Sequence, residues 1–352
     1  MRKYSEILEI LKKKESQAIL ISNPYNMRYL SGFSGGEGYL YISECRQCII
    51  VDARYTLWAK NECDIDVITI DRDFYHAINM LVSSDAADTI LLEGKHLTYM
   101  QYKRFEENLS INIKCLNDEV DRLRMIKDEE EIGYIREAEK IGDEAFSYIL
   151  GELYEGISEK EVAYKLEMYM RTHGAESLSF ESIAASGPNS ASPHAMPSDR
   201  KLKSGDMFTM DFGCVYNGYC SDMTRTVVIG KASEKQKEVY DIVLKAQQHA
   251  INNICAGTSG CDADAYARDI IEEAGYADCF GHGLGHGVGL FIHEEPRLSK
   301  KSEEILVPGN VVTVEPGIYI PGEFGVRIED IIVIRDSGIE NLTFSDKALI
   351  EI

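Results

Sequence analysis

The sequence has a single tryptophan, and no apolar run approaches the ~18 residues that a membrane-spanning helix needs. Basic residues are also few, since 37 Lys and Arg stand against 59 Asp and Glu and give a formal net charge of −22. This negative balance argues against nucleic acid or an anionic membrane as a partner. Residues 1–14 have the pattern of an amphipathic helix without the apolar core of a signal peptide, so we expect a cytoplasmic protein.

Paired cysteines are lacking as well. The nine cysteines are scattered and odd in number, which is typical of free thiols in a reducing compartment. Cys45 and Cys48 have the spacing of a CxxC pair, but they lie in strand-like sequence and no second pair completes a zinc site. We therefore assign no redox or metal role to this pair.

Regular alternation of helix and strand patterns dominates the chain. With 352 residues and 44% hydrophobic content, the sequence is long enough for one large or two ordinary domains. Residues 1 to about 120 alternate helices with short β-branched strands, which is typical of an α/β domain. After residue 122 a unit occurs twice, in which two helices joined near Ser158 or Ser259 precede a hairpin. We expect these two ααββ halves to be related by a pseudo-twofold axis.

Each of the two hairpins carries a pair of acidic residues inside apolar strand sequence. Asp211 and Glu315 occupy matching places in two segments that each run from a glycine, through apolar strand sequence, to a carboxylate. Each is followed on the next strand by a second acid, Asp222 or Glu329. Four converging carboxylates would repel and desolvate one another without cations, so the pattern predicts a metal site rather than solvated strand faces.

The turn of the first hairpin predicts its register. Asn217-Gly218 is a strong signal for a two-residue type I′ turn, and such a turn places Thr224 opposite Asp211. Asp211 and Asp222 then become diagonal neighbours on one face, about 7–8 Å or less apart at Cβ. We therefore expect both carboxylates to reach one site.

The second hairpin requires a different turn. Its acids, Glu315 and Glu329, are 14 positions apart rather than 11, so an even-length loop would place them on opposite faces. A three-residue loop over 322–324, or a glycine bulge, would place Gly317 opposite Glu329 and restore the diagonal arrangement. On this expectation the two hairpins present similar acidic pairs.

A glycine-rich segment with three histidines lies between the hairpins. It contains His282, His286 and His293. The segment follows no clear strand and opens no helix, which disfavours a nucleotide-binding loop, and the HExxH pattern of zinc proteases is incomplete after His293. Three imidazoles beside four strand carboxylates therefore indicate a functional site.

The combined motifs resemble the aminopeptidase P/prolidase family of pita-bread metallopeptidases. The resemblance covers essentially the whole chain and implies a creatinase-like α/β domain over 1–122 and a catalytic pita-bread domain over 123–352. It also implies a homodimer whose substrate is a peptide with proline at the second position. The segments that carry the resemblance are 210–213, 221–226, 282–294, 315–320 and 325–330.

The same resemblance implies two divalent metal ions per subunit, with Mn²⁺ expected and Co²⁺, Zn²⁺ or Fe²⁺ as alternatives. Asp222 and Glu329 would bridge both ions, Asp211 would bind one, and His286 with Glu315 would bind the other. Oxygen and imidazole donors without thiolates suit such ions. A hydroxide that bridges the metals would be the nucleophile, and Glu315 would also pass its proton to the proline nitrogen.

Further residues are expected to act on the substrate or to support the ligands. The resemblance implies that His194 lies near the substrate carbonyl and the proline pocket, and that His282 and His293 hold the tetrahedral intermediate and the ends of the substrate. Arg327 can share a face with Glu329 and steady a ligand carboxylate. Supporting contacts are expected from Thr224 and Tyr319.

We therefore expect an Xaa-Pro aminopeptidase, with an Xaa-Pro dipeptidase as the alternative because both occur among short bacterial chains of this kind. The large N-terminal domain and the 327–330 stretch weigh against a methionine aminopeptidase. Intact ligand positions weigh against metal-free creatinase and against an inactive peptide-binding scaffold. Trp58 is expected either to line the cleft entrance of a neighbouring subunit or to serve in packing.

Overall fold

The structure, a computed structural model, describes residues 3–352. The chain divides into one compact unit that ends at Arg124 and a second over Met125–Ile352, two residues beyond the division expected from the sequence. All nine cysteines are free, as predicted. Among the described helices, none is long and apolar enough to cross a membrane.

The first unit is an α/β domain built on a six-stranded mixed sheet. Helix N-caps follow the sequence, since Asn23 accepts a hydrogen bond from the amide of Tyr25, and Thr98 with Gln101 forms a capping box. Its elements are α1 (Tyr4–Lys13), β1 (Ala18–Ile21), α2 (Pro24–Ser31), β2 (Tyr39–Ser43), β3 (Gln47–Val51), α3 (Thr56–Glu62), β4 (Asp66–Thr69), α4 (Phe74–Ser84), β5 (Thr89–Glu93), α5 (Tyr99–Asn108) and β6 (Asn112–Leu116). The strands lie side by side in the order β4-β3-β2-β1-β5-β6.

The second unit begins with one ααββ half. Ser158 caps the second helix through a capping box with Glu161, which confirms the predicted helix start. The two helices bury apolar faces against the strands, in a core that includes Ile141, Leu166 and Phe208. The elements of this half are α6 (Glu129–Leu150), α7 (Glu159–Thr172), β7 (Ser177–Leu178), β8 (Ile183–Ser186), β9 (Met207–Phe212), β10 (Cys214–Tyr216), β11 (Tyr219–Cys220) and β12 (Met223–Val228).

The repeated half has the same helix, helix, hairpin order, as the sequence predicts. Ser259 accepts a hydrogen bond from the amide of Asp262 and caps its second helix. Val243, Ala267 and Val312 belong to the core of this half. Its elements are α8 (Glu234–Asn253), α9 (Gly260–Glu273), β13 (Gly285–Gly287), β14 (Glu294–Leu298), β15 (Val311–Val314), β16 (Gly317–Ile320), β17 (Phe324–Arg327), β18 (Asp330–Ile334) and β19 (Ile339–Asn341).

The first acidic hairpin has the predicted register. Tyr216 pairs with Tyr219 and Asp211 with Thr224. The turn residues Asn217 and Gly218 both have positive φ, 47° and 84°, as a type I′ turn requires.

The predicted register of the second hairpin is wrong by two residues. Gly317 lies opposite Arg327 rather than Glu329, and Ile320 lies opposite Phe324. The three-residue loop therefore covers 321–323, with Gly322 at a φ of 77°, because Phe324 is buried in the strand instead of belonging to the turn. A shift of two residues keeps every side chain on its predicted face, so Glu315 comes opposite Glu329 instead of diagonal to it.

Candidate metal centre

Three predicted ligands converge on one point. One ligand atom from each of Asp222, His286 and Glu329 lies within 4.8 Å of the other two, and all three residues are buried. Asp222 stands between β11 and β12, His286 lies on β13, and Glu329 precedes β18. Both ααββ halves therefore contribute donors to the same site.

The imidazole of His286 is prepared to act as a ligand. Its Nδ1 lies 3.1 Å from the carbonyl oxygen of Gly287; because a carbonyl only accepts, Nδ1 carries the proton and the Nε2 lone pair is free. Nε2 lies 3.5 Å from Asp222 Oδ2 and 3.4 Å from Glu315 Oε1. Burial, followed by the nearby His293, lowers the pKa of His286 to about 3, so the ring is neutral as metal binding requires.

Asp211 and Glu315, the other two predicted ligands, line the same cavity but lie outside the tight three-residue cluster. Asp211 Oδ2 accepts a 2.6 Å hydrogen bond from Arg327 Nη2. Its other oxygen, Oδ1, is buried and has no hydrogen-bond partner among the described residues. Such an unpartnered carboxylate oxygen is costly unless a cation binds it.

The carboxylates perturb one another strongly. Burial raises the pKa of Asp222, and the nearby Glu329 and Asp211 raise it further. Burial also raises the pKa of Glu329, with the negative charges of Glu315 and Asp211 acting in the same direction. Burial raises the pKa of Glu315 to about 8. The chain alone therefore leaves negative charge uncompensated, and divalent ions would supply the missing positive charge.

Arg327 organises several groups at once, as its position on the strand suggested. Besides Asp211, it donates through Nε to Thr224 Oγ1 at 3.0 Å and through Nη1 to Tyr319 Oη at 2.8 Å. Thr224 in turn donates to Glu329 Oε2 at 2.7 Å. Thr224 and Tyr319 thus make the supporting contacts expected of them.

A cavity of about 460 Å³ contains the predicted site residues. His194 and His293 are exposed side chains on its wall. His282 also lines the cavity, but Tyr319 Oη lies 2.9 Å from its Nε2 and the carbonyl of Gly283 lies 2.8 Å from its Nδ1. Both ring nitrogens of His282 are therefore bound to protein groups in this conformation.

The sequence of residues 133–336 matches Metallopeptidase family M24, and residues 4–126 match the Creatinase/Prolidase N-terminal domain. The chain belongs to the M24 metallopeptidases. The first domain is thus creatinase-like and the second has the pita-bread fold, as the resemblance implied.

This M24 metallopeptidase is similar over nearly its whole length to proteins that are named Xaa-Pro dipeptidase or X-Pro aminopeptidase. It is 39% identical to an Xaa-Pro dipeptidase of Pyrococcus furiosus, over 98% of each chain. The structure of an Xaa-Pro dipeptidase from Bacillus anthracis matches with a TM-score of 0.98 and 41% sequence identity, over 100% of this chain and 99% of the other. The structure of an X-Pro aminopeptidase from Thermotoga maritima matches with 39% identity and a TM-score of 0.91, over 96% and 98% of the two chains.

Three polar residues near the site escaped the sequence interpretation. Glu139 on α6 is fully buried and accepts from the amide of Asp222 at 3.3 Å and from Thr343 Oγ1 at 2.6 Å. Arg297 lies on β14 directly opposite His286 and lines the cavity. Glu159, at the start of α7, is also completely buried. Glu139 and Glu159 could have been found from the sequence, because each is a glutamate on the apolar face of a predicted helix. No comparable sequence signal pointed to Arg297.

Proposed function

We propose that this chain is a dinuclear Xaa-Pro dipeptidase that hydrolyses the bond between an N-terminal residue and proline. Xaa-Pro aminopeptidase was the first expectation from the sequence, and the dipeptidase alternative now has the better support. The observation that carries the metal-dependent hydrolysis is the buried meeting of Asp222, His286 and Glu329 inside one cavity. The names of two full-length relatives favour the dipeptide substrate.

The five predicted ligands fit a pair of divalent ions. In this proposal Asp222 and Glu329 would be shared by both ions, Asp211 would hold one, and His286 and Glu315 would hold the other. The unpartnered Oδ1 of Asp211 and the free Nε2 of His286 support the assignment because both atoms lack another role among the described residues. Such ions, which we propose to be Mn²⁺, lower the pKa of a bound water and polarise the scissile carbonyl.

The chain's own groups then move protons and hold the substrate. Glu315 accepts the proton of the attacking water and delivers it to the proline nitrogen as the C–N bond breaks. His194 and His293 reach the substrate from the cavity wall. His282 acts through Tyr319, with which it shares a hydrogen bond, and Arg327 keeps Asp211 in place.

Arg297 gives a structural reason for dipeptide selectivity. Its Nη2 donates to the carbonyl of His293 at 3.1 Å, and its remaining N–H groups have no hydrogen-bond partner in the described part of the chain. A half-buried guanidinium in the cavity suits the free carboxylate that proline carries in a dipeptide. A longer peptide has no carboxylate at that position.

The Arg297→Gln variant should therefore raise KM for an Xaa-Pro dipeptide by about 10- to 100-fold, since a hydrogen bond to a charged group contributes about 1.5–3 kcal/mol. The kcat/KM for the matching Xaa-Pro amide, which lacks the carboxylate, should change little. Lys300→Gln removes the same charge from an exposed residue of the neighbouring segment and is the control. Equal losses on dipeptide and amide would contradict this role of Arg297.

Xaa-Pro aminopeptidase remains the second candidate, because the Thermotoga maritima structure named for that activity matches nearly the whole chain. The substrates of the two candidates differ after proline, which ends in a free carboxylate in a dipeptide and is joined to a further residue in a longer peptide. Relative cleavage of dipeptides and longer peptides separates the two activities.

A further inference from the structure

The segment that carries His194 is folded around a single buried carboxylate. The segment begins at Ser186, the last residue of β8, and ends at Ser198, before the start of β9. Glu159 contacts both of its ends. We call residues 186–198 the His194 loop. The exposed fraction of Glu159 is 0%, although a carboxylate is seldom fully buried without strong partners.

Glu159 has an unusually complete set of hydrogen bonds. Its Oε1 accepts from the amide and the hydroxyl of Ser186, both at 2.7 Å. Its Oε2 accepts from the amide of Ser198 at 3.0 Å and from the Ser198 hydroxyl at 2.6 Å. Asn189, inside the loop, donates to both oxygens at 3.1 Å. One carboxylate thus closes the two ends of the loop on each other.

The middle of the His194 loop is fixed by β17. The amide of Gly325 donates to Ser190 Oγ at 2.8 Å, and a Cβ at Gly325 would lie only 2.1 Å from the carbonyl oxygen of Ser190. Arg327 Nη1 also lies 3.4 Å from the carbonyl oxygen of Pro193. The last of these contacts is made by Pro193, the residue that directly precedes His194.

The ring of His194 makes no hydrogen bond to the described residues and is exposed on the cavity wall. Its position therefore depends on the loop backbone rather than on partners of the ring. We infer that Glu159 is a positioning residue, which holds the His194 loop closed so that His194 faces the substrate. This inference rests on the proposed function, in which His194 contacts the substrate.

The substitution Glu159→Gln removes the hydrogen-bond acceptor for one end of the His194 loop with little change in side-chain volume. An amide can accept through one atom only, and its NH₂ group would face the N–H donors of Ser186 or Ser198. In the described part of the chain Glu159 accepts hydrogen bonds from Ser186, Asn189 and Ser198, and none of these is a predicted metal ligand. Glu159→Gln should therefore leave metal content unchanged. Misplacement of His194 should lower kcat on an Xaa-Pro dipeptide by about 10- to 100-fold.

A double-mutant cycle distinguishes positioning from a general structural effect. His194→Ala should lower kcat while metal content stays near normal. Adding Glu159→Gln to that variant should then cost less than about twofold more, because the group that Glu159 positions is already gone. Glu167→Gln, which changes a carboxylate further along α7, is the matched control. If Glu159→Gln fails to fold, Ser198→Ala should give a smaller effect in the same direction.

Hydrogen exchange of the backbone amides gives a readout independent of activity. In Glu159→Gln, exchange should accelerate across 186–198 and stay unchanged in β9 and β12. Unchanged exchange in the loop, a normal kcat, loss of metal, or equal kcat losses with and without His194 would each overturn the inference. If the metal-loaded parent cleaves no Xaa-Pro dipeptide, the proposed function fails, while the exchange result still decides whether Glu159 closes the loop.

Discussion

Glu329→Ala should abolish hydrolysis of Xaa-Pro substrates. Glu329 is 1% exposed, lies in the three-residue cluster with Asp222 and His286, and is proposed to bridge both ions. Loss of a shared ligand removes the charge that holds the metals, and metal assistance contributes several kcal/mol, so activity should fall by about 10³-fold or more. Metal content, measured by elemental analysis of the purified variant, should fall in parallel. Asp222→Ala should behave in the same way.

The control for this experiment is Glu323→Ala in the same hairpin. Glu323 is an exposed residue whose carboxylate contacts Lys235 Nζ at 2.7 Å, far from any predicted ligand role. Such surface pairs contribute about 0–1 kcal/mol, so both activity and metal content should stay near those of the parent. Full activity in Glu329→Ala or Asp222→Ala would contradict the two-metal assignment.

Metal-stripped protein should lose stability as pH rises from about 5 to 8. Burial raises the pKa of Glu315 from 4.5 to about 8, and the pKa values of Asp222 and Glu329 are raised as well. The folded chain therefore binds protons at these sites that the unfolded chain releases, and stability decreases across this window as the carboxylates ionise. Each unit of pKa difference between the folded and unfolded chain corresponds to about 1.4 kcal/mol. The free energy of unfolding should therefore decrease by on the order of several kcal/mol across this pH range.

Thermal unfolding measures this effect directly. The melting temperature of the stripped protein should be about 10 °C lower at pH 8 than at pH 6, given 2–4 °C per kcal/mol for a domain of this size. Added Mn²⁺ should restore more stability at pH 8, because metal binding requires deprotonated ligands. His286 opposes this trend at the lower end of the range, because its lowered pKa keeps the folded ring neutral while the ring of the unfolded chain takes up a proton below about pH 6.5. The loss of stability caused by the carboxylates should therefore be clearest above that pH. Equal melting temperatures at the two pH values would contradict the raised pKa values of these buried carboxylates.

Local signals explain which parts of the fold the sequence could predict. The type I′ turn at Asn217-Gly218 dictates one register, and Thr224 lies opposite Asp211 as expected. The second turn has no such two-residue signature, and its loop ends before Phe324 because that side chain is buried in the strand. The error was confined to two residues because side-chain alternation still placed Glu329 on the correct face.

Long-range contacts explain what the sequence could not supply. Glu139 and Glu159 look like ordinary helical glutamates, and their partners lie 27 to more than 200 positions away along the chain. Arg297 comes to lie next to His286 only because β14 pairs with β13, the strand that carries this histidine. The hydrogen bond between Tyr319 and His282 likewise depends on the packing of two separate segments. Propensity and motif spacing contain no information on such pairings.

The most direct test is hydrolysis of an Xaa-Pro dipeptide and an Xaa-Pro-Yaa tripeptide by stripped protein before and after addition of Mn²⁺, with Xaa-Ala peptides as controls. A metal-dependent Xaa-Pro dipeptidase should cleave the dipeptide only after metal is added, and should leave the tripeptide and the Xaa-Ala controls largely intact. Metal-dependent cleavage of the tripeptide as fast as the dipeptide would contradict the dipeptidase assignment, and no metal-dependent cleavage of either would contradict the catalytic role of the site.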